Sequence, residues 1–275
     1  MTHLLRREES VTTDSLPDAL GTDPRRAARL LLTAAEDEVE AQAMLGQILL
    51  DGRGIEADPA LALTWFRIAA ARGHAMASNM AGRCLELGWG CERNLPQAAH
   101  YYRQAAERGL DWGCYNYANL LATGRGVSCD EAEAYRLYHR AAQAGHAKSM
   151  NLVGRCLEDG RGVSADPDAA RDWYRRSAIA GDFRGQFSHA VSLLNEGKTE
   201  EAEYWLLQAL KHGNLKFLRV AGSTLLAAAD RRLMPIALAY RTRAAELGDD
   251  SDRQAERAAL AYLHRIGGAV EEANA

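Results

Sequence analysis

Glycine recurs in this chain on a fixed 36-residue grid, and that spacing constrains the fold more than any other feature of the sequence. Gly52, Gly88, Gly124 and Gly160 form one ladder. Gly54, Gly90, Gly126 and Gly162 form a second, and Gly73, Gly109, Gly145 and Gly181 a third. Self-similarity at a period of roughly 20–50 residues signals stacked supersecondary units rather than one closed globule. Arrays of that kind work by presenting an extended surface, not by enclosing a reactive pocket.

One unit, from Glu40 to Gly73, shows how each is built. The stretch from Ala43 to Leu50 carries apolar residues at helical spacing. Gly52-Arg53-Gly54 ends that helix and supplies the backbone freedom for a reversal. Ile55 is a lone apolar residue in a polar loop, suited to plug the space between helices. Asp58-Pro59 opens a second helix, Asp as N-cap and Pro in the first turn. On it, Leu61, Trp65, Ile68 and Ala69 are expected to form the packed face. The aromatic pair Trp65-Phe66 returns as Tyr101-Tyr102, Leu137-Tyr138 and Trp173-Tyr174. Small Gly46, Gly82, Ala118 and Gly154 mark where two helices approach closely.

The pattern decays toward both ends. Gly181 to Gly213 spans only 32 residues, because the Gly-x-Gly-apolar loop is missing and Gly197 alone makes the turn. The expected organisation is a flexible tail over 1–22 and an array over 23–248. The array opens on a half-repeat from Asp23-Pro24 to Ala34-Ala35. Four regular units over 40–181 and two degenerate ones over 182–248 follow. Ser251 to Gln254 has capping-box form and begins a last helix to about Ile266, with a tail over 267–275.

Composition excludes several classes of function. A net charge of −4 gives no basic footprint for nucleic acid. No apolar run approaches the ~18 residues of a membrane span, and residues 1–21 lack the apolar core of a secretory signal. Five cysteines without an export signal read as reduced thiols in a cytoplasmic protein. Cys84 and Cys156 stand where other repeats place Ile48 and Leu120, so they read as core. Cys91 replaces Ile55 and Val127 and also reads as core, whereas Cys129 reads as exposed.

The consensus resembles the Sel1-like repeat, a relative of the tetratricopeptide repeat. It is carried by Gly124-Arg125-Gly126-Val127 and by Gly160-Arg161-Gly162-Val163 followed by Asp166, Ala169 and Trp173-Tyr174. The match is strong over Glu40–Gly181 and weaker to about Gly248; Leu137, Cys91 and the shortened fifth unit depart from it. The resemblance implies an all-α fold, a right-handed α/α superhelical solenoid of helix-turn-helix repeats whose first helices line a concave face. It also implies an adaptor that assembles other proteins. Cysteine-rich relatives have been linked to β-lactam binding, and only Cys84 and Cys91 could mimic their cysteine pairs here.

If the first helices face inward, counting from Gly82, Ala118 and Gly154 gives three exposed sets. They are Met76, Asn79, Arg83 and Glu86; Trp112, Tyr115, Asn119 and Ala122; and Lys148, Asn151, Arg155 and Glu158. Asn can satisfy an extended backbone and Arg can fork onto a carboxylate, while Tyr and Trp supply rigid contact area. The Asn and Arg positions fit a packed scaffold equally well, with Arg83 and Glu86 paired along one helix face. Trp112 and Tyr115 are the stronger candidates, and Phe187 and Arg219 would extend the surface.

Enzymatic readings find little support. No serine begins a Ser-x-x-Lys motif, and Gly197-Lys198-Thr199 lacks the first glycine of a phosphate loop, Ser192 standing there. His74 and His146 occupy matching turns 72 residues apart, too far to share a metal. No cofactor is implied. The reading is a cytoplasmic bacterial scaffold, monomer or weak homodimer, that binds a peptide or protein partner. The alternatives are hydrolysis or binding of a β-lactam or small amide, and a regulatory accessory of an uptake or stress operon.

Overall fold

The computed structural model describes residues 38–273 apart from Ala229, together with Leu32, with side chains as far as Leu263. The expected tail over 1–22 lies outside the described residues, as does the half-repeat over 23–35 except for Leu32, which is helical. Among the described residues there are thirteen α-helices and no strand. The chain divides into two compact units, Met1–Ala144 and Gly145–Ala275.

In the first unit three helix hairpins follow one another. They pair α1 (Val39–Asp51) with α2 (Pro59–Ala71), α3 (Ala75–Leu87) with α4 (Leu95–Glu107), and α5 (Asp111–Thr123) with α6 (Glu131–Gln143). In the second, α7 (Ala147–Asp159) pairs with α8 (Pro167–Ile179), α9 (Phe183–Asn195) with α10 (Thr199–His212), and α11 (Leu215–Ala227) with α12 (Met234–Leu247). A final helix, α13 (Asp250–Ala273), packs on α12 and runs past Ile266, the end expected from sequence. The second helix also packs on the first helix of the next pair where α2 meets α3, α4 meets α5 and α8 meets α9, whereas α10 packs instead on α12. This is the helix-pair solenoid that the 36-residue grid anticipates.

Local chemistry explains the boundaries. The Asp58 carboxylate accepts from the Leu61 amide at 2.9 Å with Pro59 at the first position, and Asn94, Asp130 and Asp166 repeat the cap. Such caps contribute about 1 kcal/mol each. Gly52, Gly88, Gly124 and Gly160 end the first helices at φ between 66° and 78°, a region that disfavours a Cβ. The loop then folds back: the amides of Asp58, Asn94, Asp130 and Asp166 donate to the carbonyls of Leu49, Leu85, Leu121 and Leu157 at 2.9–3.1 Å. The last helix is capped by Asp249, not Ser251: Asp249 Oδ1 accepts from the Ser251 amide at 2.9 Å and Asp252 Oδ2 from the Asp249 amide at 3.0 Å. The capping box begins two residues earlier than the Ser251 pattern predicts.

The packed face of the second helices is rotated from the expected one. Phe66 is 1% exposed, whereas Leu61 is 43% and Ile68 39% exposed, and Trp65 is only partly buried. Ala62, Phe66, Ala69 and Ala70 form the inward stripe at i, i+4, i+7 and i+8. One residue rotates a helix by about 100°, so of two adjacent aromatics only one can enter the core. It is the second each time, Phe66, Tyr102 and Tyr174, whereas in the third repeat Leu137 and Tyr138 are both buried. The small residues do meet these rings, as expected. A Cβ on Gly46 or Gly82 would lie 2.7 Å from the ring of Phe66 or Tyr102, and on Gly154 2.5 Å from that of Tyr174.

The two kinds of loop glycine separate experimentally. Gly109 (φ 85°) has open space where a Cβ would go, whereas a Cβ on Gly90 (φ 69°) would overlap the backbone of Pro59 and Ala60. Gly109→Ala is expected to cost about 1–2 kcal/mol in urea denaturation, the backbone strain alone. Gly90→Ala is expected to cost clearly more, because the loop must also back away from α2.

Candidate functional site on the first helices

The first helices α3 and α5 contact each other in one unit, and α7 and α9 in the other. Two of the three predicted residue sets fall in the first unit and the third in the second.

Asn79 and Asn151, expected on an exposed surface, are each only 3% exposed. Asn116 donates to the Asn79 side-chain oxygen at 2.8 Å, and Ser188 to that of Asn151 at 3.0 Å. These amides tie one first helix to the next. A side chain in that position faces the neighbouring repeat, which the single-helix count could not register.

Glu86, Asn119 and Glu158 are likewise engaged. The Tyr102 hydroxyl donates to Glu86 at 2.8 Å, Tyr138 to Asn119 at 2.8 Å, and Tyr174 to Glu158 at 2.6 Å. A buried hydroxyl needs a partner, and the repeats supply one wherever the ring carries an oxygen. Phe66 carries none, and Leu50 holds the place that Glu86 has in the next repeat. Where Ala122 replaces that glutamate, Asn119 one turn earlier takes over. This covariation among repeats is a sequence signal that marks the glutamates as fastening groups. Burial and the neighbouring carboxylates push the Tyr102 and Tyr174 phenols far above their usual range. Glu86 also pairs with Arg125, at 3.3 Å, and not with Arg83 of its own helix.

What stays accessible is more apolar than expected. Trp112 is 39% exposed and stands edge-on to Tyr115, ring centroids 6.0 Å apart at 84°. Tyr115 is half-buried, tilted against Tyr138 at 6.5 Å. Met76, one repeat before Trp112 at the matching position, is 43% exposed. Arg83 lies over the Trp89 ring at 5.0 Å, and Ala122 is partly buried. In the second unit Arg155 is exposed and Lys148 half-buried. Phe187 is not surface but packs on Phe217 and Tyr240 at 5.7 and 6.4 Å. Arg219 is committed to Asp252 at 2.5 and 2.7 Å, which holds α13 on α11. Neither extends a docking surface.

The turn histidines have a structural use that sequence reasoning missed. His74 Nδ1 accepts from the Ala77 amide at 2.9 Å and its Nε2 meets Glu40 at 2.8 Å. His146 Nδ1 accepts from the Ser149 amide at 3.3 Å, and Asp182 caps Gly185 in the same place at 2.9 Å. Their alignment with Asp182 was the available clue.

The five cysteines are free thiols, with Cys84, Cys114 and Cys156 buried, Cys91 half-buried and Cys129 exposed. Burial first, and Cys91 second, push the Cys84 thiol up to about 11. A thiol-reactive probe at pH 8 is therefore expected to label Cys129 first and Cys84 only on unfolding. Equal labelling rates in the native protein would contradict that order.

The Sel1 repeat model matches residues 18–38, 39–74, 75–110, 113–146, 147–182 and 197–214. No curated protein matches the chain. Among solved structures, the chain is similar to a Sel1 repeat protein from Oxalobacter formigenes, 26% identical with a TM-score of 0.62, covering 72% of this chain and 88% of that one. It is also similar to a protective antigen present in uropathogenic Escherichia coli strains and displaying an SLR fold, 25% identical with a TM-score of 0.70 over 92% of this chain. The chain spans 54% of the length of that antigen. With repeat matches over most of its length and the helix-pair packing they require, the protein belongs to the Sel1 repeat family.

Proposed function

We propose that this chain is an adaptor that captures a peptide or protein segment on its first helices, anchored by Trp112 and Tyr115. Sel1 repeat proteins are generally non-catalytic interaction scaffolds, and this narrower reading rests on one observation above others. A tryptophan 39% exposed beside a half-buried tyrosine, with Met76 at the matching position one repeat before, presents rigid apolar area to solvent. Aromatic residues of that kind dominate binding energy where partners meet. Within the same unit Arg83, over Trp89, stands on the neighbouring first helix and is suited to meet a carboxylate. In that unit the buried Asn79 and the fastened Glu86 and Asn119 hold the helices in register behind those contacts. Free cysteines favour a reducing compartment, so the cytoplasm is the proposed location. Bacterial relatives make a bacterial host the natural proposal. Among the described residues no helix is long and apolar enough to cross a membrane.

Affinity capture from a lysate, comparing wild type with Trp112→Ala/Tyr115→Ala, tests the reading. The double variant is expected to lose specific partners. Trp112→Ala alone is expected to shift the melting temperature by no more than roughly 2 °C. Asn151→Ala is expected to behave oppositely, losing about 1–3 kcal/mol of stability because Ser188 loses its acceptor. Retained capture by the double variant would remove these aromatics from the binding surface.

A further inference from the structure

The fifth repeat lacks the loop by which earlier repeats reach back to their predecessors. Seven residues, 88–94, join α3 to α4, and seven, 124–130, join α5 to α6; only three, 196–198, join α9 to α10. What the longer loop does is visible in the first unit. Its second glycine lies against the start of the preceding repeat's second helix, so that a Cβ on Gly126 would sit 2.5 Å from the Leu95 carbonyl carbon. Between the two glycines stands Arg125, whose guanidinium reaches Glu86 at 3.3 Å, the carboxylate that Tyr102 also holds. The loop thus delivers a cation to a carboxylate one repeat upstream.

In the second unit the receiving groups remain and the loop does not. Glu158 stands two periods after Glu86 and accepts from the Tyr174 hydroxyl at 2.6 Å. Pro167 opens α8 as Pro59 opens α2. Between these groups is a cleft of about 210 Å³, lined by Glu158, Pro167, Arg171, Tyr174, Asn195 and Glu196. Glu196 is held by Lys198 at 2.7 Å and Arg171 at 3.4 Å, and Arg161 turns to Asp159 at 2.7 Å. Among the described residues Glu158 has no ion-pair partner, although its counterpart Glu86 has one.

We propose that this cleft is a docking site for an arginine-bearing turn of a separate polypeptide, of the Gly-Arg-Gly kind, which replaces the missing loop from outside. One Glu158 oxygen is occupied by Tyr174, leaving the other for the guanidinium, as Glu86 divides its oxygens between Tyr102 and Arg125. Flanking glycines let the backbone lie on Pro167 as Gly126 lies on Leu95. The volume admits a turn but not a helix about 10 Å across. Arg171 on the wall, paired with Glu196 at 3.4 Å, disfavours a polybasic run. The site is separate from Trp112 and stands whether or not that face binds a partner.

A fluorescent peptide Thr-Gly-Arg-Gly-Val-Ser, the sequence of residues 123–128, titrated with the full chain by anisotropy, tests the assignment. Saturable binding is expected, weakened about tenfold or more by Glu158→Gln and equally by citrulline in place of the peptide arginine. Gln still accepts from Tyr174, so the melting temperature is expected to hold. Replacing residues 196–198 with the sequence of 124–130 is expected to fill the cleft and abolish binding; if that graft does not fold, the other two arms decide. No saturable binding, equal affinity for Glu158→Gln, or argininamide binding as tightly as the peptide overturns the proposal. Self-association of the chain that depends on Glu158 would make a second copy the occupant and overturn it too.

Discussion

Each regular hairpin depends on one contact, a second-helix aromatic ring set against a small residue of the first helix. Phe66 on Gly46, Tyr102 on Gly82 and Tyr174 on Gly154 leave no room for a Cβ, and the third hairpin has Ala118 and Tyr138 at the matching positions, both buried. Close approach brings the alanines that follow each ring, such as Ala69-Ala70 and Ala105-Ala106, into full burial. It also carries a hydroxyl inward, and that oxygen decides what the first helix must offer. Glu86, Asn119 and Glu158 are answers to a tyrosine, and Leu50 is the answer to a phenylalanine.

Stability in such an array is close to a sum over units and their neighbour contacts, so one unit can lose a part without undoing the rest. The shortened α9–α10 connection is such a loss. It has an electrostatic counterpart: Glu86 meets Arg125 from the next loop, whereas among the described residues Glu158 has its tyrosine and no ion-pair partner. The exposed Trp112 of α5 and Met76 at the matching position of α3 are a different feature, large apolar side chains partly open to solvent.

The architecture was legible because glycine spacing records backbone geometry directly. The ladder ending at Gly160, the caps at Asp58 and Asp166, and the small-residue positions all stand where the sequence puts them. Orientation was less legible. Adjacent aromatics such as Trp65 and Phe66 differ by about 100° around the helix, and hydrophobicity alone does not say which turns inward. Asn79 and Asn151 were misplaced because their partners, Asn116 and Ser188, lie 37 residues on, and a reading of one helix contains no term for its neighbour. Arg125 escaped notice for the same reason, being read as loop when its charge serves the preceding repeat.

The ring-on-glycine contact is tested most directly by a double-mutant cycle between Gly154 and Tyr174 in urea denaturation. Gly154→Ala in the native background is expected to cost about 1–3 kcal/mol by overpacking. With Tyr174→Leu already present the ring is gone, and most of that penalty should vanish, a coupling of 1 kcal/mol or more. Additivity of the two substitutions to within about 0.5 kcal/mol would mean that the glycine and the ring act independently. The hairpins would then be held by something else.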